Sequence, residues 1–439
     1  MSHWFHRNAL KCTTSQTFAL SLVSAQPQAI QLCDRLKSAR LMALDLMTDP
    51  SSDAQAVDQQ LRHYLSLLLG FVFNHSFDPN HGPTDSSKLR HYIKFKWTDS
   101  LLGAIPCVRQ DSVFELISIC YEYAIWLTKH CAQLAAKPDI DMEAAKECHK
   151  CLRKAAGVLT AIQNEWCERL LERSFVAGAD LDPRVITAYI LQCQAEAQEV
   201  TIARAIELKH NPTLVSALAN ETSKMFLSAA GAVKALDPTK VAKWMTYFQL
   251  KSAFYESYAF CYLGESLLEQ EKCGEAIRAL EESEKFYDIS MKLCKEYRKL
   301  KAPAMGGTGA KIDEHLFFRK LQPLVKRTKD KCVRENGFIF HDTVPKDCPV
   351  LELKATHGLV TPEEFSMPPL HELWTAESYA AFNLAQNVTF VDPRKKADKK
   401  GDKKGESGDK PEEPIPMVNE KPIKYSETDP KNQSGCQIQ

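Results

Sequence analysis

The stretch SYAFCYLGESLLEQEKCGEAIRALEESEKFYD, residues 257–288, decides the fold class. Seven of its residues lie close to the positions that define a tetratricopeptide hairpin: Phe260, Leu263, Gly264, Leu267, Gly274, Ala276 and Leu280. The small Gly264 and Ala276 would let two antiparallel helices approach closely. The stretch therefore predicts a helical hairpin of the tetratricopeptide type.

Helical periodicity extends on both sides of this hairpin, and prolines punctuate it. Asp182-Pro183 and Asp237-Pro238 are typical of a helix N-cap followed by proline at the first helical position. The pattern predicts helices over 113–136, 142–172, 184–211, 213–236, 239–271, 274–300 and 314–336. Runs of β-forming residues are confined to about 18–23, 337–341 and 351–355. We expect a mainly α fold, a helical solenoid of stacked tetratricopeptide-like hairpins with a few short peripheral β-strands.

Composition excludes several classes of protein. The 439 residues are 44% hydrophobic and 26% charged, as in ordinary globular proteins, and 56 basic residues balance 56 acidic ones. No global field draws the chain to nucleic acid, and the crowded aromatics of 244–262 are expected to be core residues. No apolar run approaches the roughly 20 residues of a membrane-spanning helix. The fifteen scattered cysteines indicate reduced thiols in a cytoplasmic protein.

The chain divides near residue 391. The body, 1–390, is long enough for a single large domain, whereas 391–439 is rich in proline and charge and nearly free of aromatics. Such a segment buries too little apolar area to offset its conformational entropy. We expect a disordered charged tail.

Motifs that would indicate catalysis or a metal are weak or absent. Cys148 and Cys151 form a C-x-x-C in mid-helix, but the spacing offers no second ligand pair, so both are expected to be ordinary thiols. The glycines around Gly306-Gly307 do not fit a phosphate-binding loop and predict a flexible connection. We therefore expect no catalytic residue, no metal and no cofactor. A cysteine-dependent enzyme is the most distant alternative.

The last four residues, Cys436-Gln437-Ile438-Gln439, carry the sharpest functional signal. A cysteine fourth from the end, an aliphatic third residue and a terminal glutamine fit a prenylation (CaaX) box, and the glutamine favours farnesyl. The sequence predicts a covalent farnesyl on Cys436, a protein prenyltransferase as modifying enzyme, and peripheral attachment to a membrane.

A single lipid chain is marginal for stable anchoring, so a second signal is needed. The candidate is the block 394–404, with seven basic and two acidic residues. It lies 32 residues before Cys436, a coil of about 30 Å, whereas the Debye length is about 8 Å. The lipid therefore does not hold this block at the membrane surface.

Three blocks resemble the Bro-domain family: YILQCQAEAQEVTIARA at 189–205, FKWTDSL at 95–101 and CGEAI at 273–277. The opening HWFHRN at 3–8 and the prenylation box make the chain similar to a member that consists of a lone Bro domain with a lipidated tail. The resemblance implies a boomerang-shaped helical domain and an adapter without catalytic activity. It also implies that the concave face binds the C-terminal amphipathic helix of Snf-type ESCRT-III subunits, the charged multivesicular body proteins, in endosomal sorting.

The resemblance places the partner-binding groove on five residues: Lys146, Thr201, Arg204, Leu214 and Leu218. Two departures bear on affinity, since Thr201 stands where Alix-like members have a large aromatic residue and Ala217 where they have lysine.

The residues by themselves are compatible with such a groove. Leu214 and Leu218, four apart on a helix, could form an apolar floor, and Lys146 and Arg204 could meet acidic residues at the rim. The alternative is that both leucines are simply core residues. A second functional interpretation is a prenyl-tethered tetratricopeptide-like scaffold for another peptide, which would need a basic carboxylate clamp in its groove.

Overall fold

The computed structural model describes residues 3–18, 26–78, 80–136, 140–301, 315–351, 355, 358–383 and 412–423. In chain order the helices and strands are α1 (Pro27–Leu46), α2 (Ala54–Val72), β1 (Phe95–Trp97), β2 (Cys107–Arg109), α3 (Ser112–Ala135), α4 (Met142–Ala161), α5 (Pro183–Glu207), α6 (Pro212–Val233), α7 (Pro238–Glu269), α8 (Cys273–Lys299), α9 (Leu316–Arg319), α10 (Leu321–Glu335) and α11 (Ala376–Ala380). Strands β1 and β2 pair antiparallel with Phe95 opposite Arg109. The predicted mainly α fold with a few peripheral strands is confirmed.

Most long helices begin where the sequence supplies a cap. Each helix from α3 to α7 has an N-cap residue whose side-chain oxygen accepts a hydrogen bond from a backbone N–H of the first turn. In chain order these caps are Asp111, Asp141, Asp182, Asn211 and Asp237. Such a cap satisfies one of the four N–H groups that a helix start leaves unpaired. In α5, α6 and α7 proline follows the cap, where its missing N–H is harmless. The predicted Asp-Pro helix starts are confirmed.

Helices α3 to α8 pack each against the next, and α10 packs on α8. Gly264 allows the close contact of α7 and α8, because a Cβ there would lie 2.7 Å from Leu280 Cγ. Ala276 on the facing helix is fully buried. The aromatic side chains of α7 are mostly buried, as predicted; Trp244, Tyr247 and Phe248 are at most 1% exposed.

The N-terminal segment 3–12 runs through the interior and is held by buried ion pairs. Arg7 pairs with Glu196 at 2.9 Å, and His3 Nδ1 lies 2.8 Å from Glu199 Oε1. Glu199 also accepts a hydrogen bond from Lys251 at 2.8 Å, with both side chains fully buried. Burial would raise the pKa of Glu199, but the charge of Lys251 and the hydrogen bond with His3 outweigh it and lower that pKa. These contacts fix the face of α5 that points inward.

Several expected boundaries are wrong. Residues 337–341 are not a strand: the π-helical turn Asn336–Phe340 prolongs α10, and His341, in the left-handed conformation, ends it. The helix expected over 142–172 ends at Ala161 and continues as a π-helical and a 3₁₀ turn to Arg169. The β-forming runs of 18–23 and 351–355 lie largely outside the described residues, and Phe18 and Leu351 are not in strands.

Two other expectations are corrected. Cys148 is disulfide-bonded to Cys131, because α3 and α4 bring their Cα atoms to 4.6 Å, a contact that the C-x-x-C spacing does not reveal. The other described cysteines form no disulfide. The expected disorder of 391–439 does not hold for 412–423, which packs on the body. The glycine run at 306–309, the basic block 394–404 and Cys436 lie outside the described residues. Among the described helices, none is long and apolar enough to cross a membrane.

Candidate functional site: a groove between three helices

The groove lies where the first half of α4, the last half of α5 and the first turns of α6 meet. A short turn joins α5 to α6, and Lys209 in it adopts the left-handed conformation that reverses the chain. Asn211 then caps α6 by accepting the N–H of Thr213 at 2.7 Å. This tight reversal brings the end of α5 and the start of α6 together around one opening.

The groove has a volume of about 540 Å³. All five residues placed there by the family resemblance line it: Lys146, Thr201, Arg204, Leu214 and Leu218. They come from three helices, and the first and last of them, Lys146 and Leu218, are 72 residues apart in the sequence. The structure brings all five to one surface. The other lining residues are Met142, Ala145, His149, Val200, Ala205, His210 and Gly358.

The two leucines of the floor differ in exposure. Leu214 is half-buried and offers part of its side chain to the groove. Leu218 is only 2% exposed and belongs to the main hydrophobic core; Gly358 lies next to it, since a Cβ added at Gly358 would be 3.5 Å from Leu218 Cδ2. Leu218 is therefore a core residue, as the alternative interpretation states. Leu214 is not fully buried, so the alternative does not apply to it.

The rim of the groove is basic. Lys146 Nζ lies 2.8 Å from Glu143 of its own helix and Arg204 lies 3.3 Å from Glu207, with all four side chains well exposed. Exposed pairs of this kind contribute less than about 1 kcal/mol, so the cations are available to an incoming carboxylate at little cost. None of the described lining residues is acidic. Burial, reinforced by Arg153, lowers the pKa of His149 and favours its neutral form.

One wall of the groove comes from a distant loop that is not evident from the sequence. Gln198 donates to the carbonyl oxygen of Gly358 at 2.9 Å and accepts the N–H of Val360 at 2.9 Å. Farther along the loop, Glu363 N–H donates to Arg153 O at 3.0 Å. Gln198, a fully buried amide in the middle of α5, is the only sequence signal we find for this contact.

The two departures from the family pattern have different surroundings. Thr201 is half-buried in the groove, and its hydroxyl donates to Ala197 O at 3.3 Å, so its methyl group remains available for apolar contact. Ala217 is 5% exposed, packs in the main core and does not line the groove. Only the change at Thr201 alters the groove surface directly.

A second cavity of about 680 Å³ lies on the other side of the α5–α6 turn. Its cations are Lys209, Lys320 and Arg327, but Glu265 and Glu269 share its wall. Mixed charge suits a carboxylate clamp less well than a purely basic wall does. This cavity is the nearest counterpart in the described residues to what the scaffold alternative requires.

A group of possible metal ligands lies apart from the groove. His130, Glu147 and Cys151 offer donor atoms within 4.8 Å of one another. His130 Nδ1 lies 2.8 Å from Pro50 O and Nε2 lies 3.0 Å from Glu147 Oε1, so hydrogen bonds account for both ring nitrogens. Burial raises the pKa of the Cys151 thiol to about 12, which opposes the thiolate that a metal needs. The absence of a metal stays a prediction.

The fold is a helical domain with a groove between three of its helices, and comparison with known proteins identifies its family. The BRO1-like domain model matches residues 28–382, and the chain belongs to this family, whose proteins are adapters.

The chain is 44% identical over 438 residues to the BRO1 domain-containing protein BROX of Danio rerio, covering 100% of both chains. It is 47% identical over 386 residues to that of Homo sapiens, covering 88% of this chain and 92% of the relative. The expected resemblance to the lone Bro-domain member is confirmed.

Among solved structures, the ALIX BRO1 CHMP4C complex matches with a TM-score of 0.63 at 18% identity, covering 85% of this chain and 99% of that chain. A Bro1-domain structure described as the "Structure basis for endosomal targeting by the Bro1 domain" matches with a TM-score of 0.59 at 19% identity, covering 87% and 99%. At these identities the likeness concerns the fold.

Proposed function

We propose that the groove binds the C-terminal amphipathic helix of Snf-type ESCRT-III subunits, the charged multivesicular body proteins, and that the chain is a non-enzymatic adapter in endosomal sorting or membrane remodelling. The proposal rests on one observation: Leu214 provides an apolar floor, and two cations, Lys146 and Arg204, line the same groove. An amphipathic helix with an acidic flank complements that surface. One structural neighbour is a complex of ALIX BRO1 with CHMP4C, which supports the same partner class.

A substitution at Leu214 tests the groove directly. Its half-buried side chain would lose about 1 kcal/mol of apolar contact with a partner helix, and an aspartate there would have to be desolvated at a cost of about 2 kcal/mol or more. We expect Leu214→Asp to weaken binding about 100-fold. Fluorescence anisotropy with labelled synthetic C-terminal helices of ESCRT-III subunits measures this loss.

The matched control is Leu227→Asp on the same helix, since Leu227 is 60% exposed and does not line the groove. The control should bind like wild type, and both variants should keep the wild-type circular dichroism spectrum. Leu218→Asp places a charge in the core and should unfold the domain instead. Wild-type affinity of folded Leu214→Asp would refute the groove.

We further propose that Cys436 carries a farnesyl group, added by a protein prenyltransferase, and that this lipid attaches a cytoplasmic protein to a membrane surface. The support is the terminal tetrapeptide. Intact-mass measurement of the protein from cells should reveal the farnesyl, and Cys436→Ser should shift the protein from the membrane fraction to the soluble one. Equal membrane association of both forms would contradict the lipid attachment.

A further inference from the structure

Residues 412–423, here called the C-terminal strap, lie extended on the body of the protein. The N–H of Ile415 donates to Ala104 O at 2.9 Å, and the N–H of Lys421 donates to Thr48 O at 3.1 Å. Between them, the N–H of Val418 donates to the Cys12 thiol sulfur at 3.3 Å. The strap thus crosses from the loop between β1 and β2, past the N-terminal segment, to the end of α1.

The strap buries one side of its sequence and exposes the other. Ile415 is 7% exposed, Val418 packs against the main core, and Ile423 packs against a second cluster that includes Phe5 and Val200. Most of the residues between these anchors are exposed, among them Pro416, Met417 and Asn419. This pattern is that of a bound peptide with three apolar anchors.

Glu420 is the main polar anchor. One carboxylate oxygen accepts the N–H of Leu10 at 2.7 Å, and the other accepts a hydrogen bond from Lys129 Nζ at 2.6 Å. The Lys129 side chain is 6% exposed and that of Glu420 25%, so this charged hydrogen bond is only partly accessible to water. Exposed pairs hold the two ends, Lys96 with Glu412 and Lys421 with Asp49, each at 2.5 Å.

We propose that this surface is a binding site for the chain's own strap, and that the strap sets the length of the tether between the body and Cys436. From Ile423 to Cys436 the tether is 13 residues, which can reach at most about 45 Å. Without docking it would run 53 residues from Asn383, which can reach at most about 180 Å. The lipid part rests on the proposed function, whereas the docking does not.

Hydrogen–deuterium exchange of the full chain tests docking without any lipid. In wild type, peptides covering 412–423 should exchange more slowly than those of 394–410. Glu420→Lys replaces the ion pair with Lys129 by two positive charges that repel each other. It should raise the hydrogen-exchange rate of the strap about tenfold or more. Glu413→Lys makes the same charge change at an exposed strap position and should leave the rate as in wild type. Fast exchange of the wild-type strap, or an unchanged rate in Glu420→Lys, would overturn the docking.

Neutron reflectometry of the farnesylated full chain on a supported bilayer tests the tether. Glu420→Lys should increase the spacing between body and bilayer, with membrane binding retained, and Glu413→Lys should keep the wild-type spacing. If both variants still bind the membrane and keep the same spacing between body and bilayer, the tether proposal is overturned. If Cys436 carries no lipid, the tether fails together with the lipid proposal, and hydrogen exchange still decides the docking.

Discussion

A buried carboxyl group under the strap should make the stability of this protein fall as pH rises. Glu122 on α3 is 2% exposed, and one of its oxygens accepts the N–H of Lys11 at 2.7 Å. Burial raises its pKa from 4.5 to about 8; the charge of Glu420 acts in the same direction, while the Lys11 N–H and the charges of Lys11 and Lys129 act against it. The group is therefore mostly protonated in the folded protein at neutral pH.

The sign and size of the effect follow from linkage. The folded-state pKa lies above the unfolded one, so the stabilisation is fully present below about pH 4.5 and is lost as pH rises towards about 8. Each pH unit in this window changes the free energy of unfolding by about 1.4 kcal/mol. Between pH 5.5 and 7.5 the wild type should lose about 2 to 3 kcal/mol through this residue. Glu122→Gln keeps the oxygen acceptor and carries no titrating proton, so it should not show the loss.

Urea unfolding of both proteins at pH 5.5, 6.5 and 7.5 measures the difference, since all other titrating groups are common to the pair. We expect Glu122→Gln to gain stability relative to wild type by about 2 kcal/mol or more over this range. Glu168→Gln, at an exposed position, serves as the control and should track the wild type. A constant offset between wild type and Glu122→Gln would refute the reasoning, because it would mean that Glu122 does not change protonation on unfolding.

Other buried contacts give further expectations. Lys251→Met leaves the buried Glu199 without its main cation and should lower the free energy of unfolding in urea by about 3 to 5 kcal/mol. Adding Glu199→Gln should restore most of this free energy, and an unaffected single variant would contradict the expectation. Gly264→Ala should cost about 1 to 3 kcal/mol by overpacking the α7–α8 contact, and an unchanged melting temperature would disprove it. Gly157→Ala should displace the loop that walls the groove, because its Cβ would lie 1.6 Å from Glu363 O, and should weaken binding of a partner helix more than it lowers stability; intact affinity would contradict this.

The groove could be predicted from the sequence only in part. Leu214 and Leu218 are four apart on one helix, which places both on the same face but does not tell which of them reaches solvent. Leu218 packs against Gly358, which lies 140 residues farther along the chain, whereas Leu214 remains half-buried. The loop around Gly358 lacks any local pattern that points to α5, so its part in the groove appears only in the folded protein.

What the sequence determined by itself is local. Helix starts at Asp182-Pro183 and Asp237-Pro238 and the close approach at Gly264 depend on residues within a few turns, where capping, proline geometry and helical period act directly. Tertiary structure decided the features that join distant segments, because their free energy comes from burial and hydrogen bonds between residues that local propensity cannot pair. The Cys131–Cys148 bond is one such feature. The strap is another, since a proline- and charge-rich segment that cannot fold alone becomes ordered where the body supplies Lys129 for Glu420 and an apolar surface for Ile415.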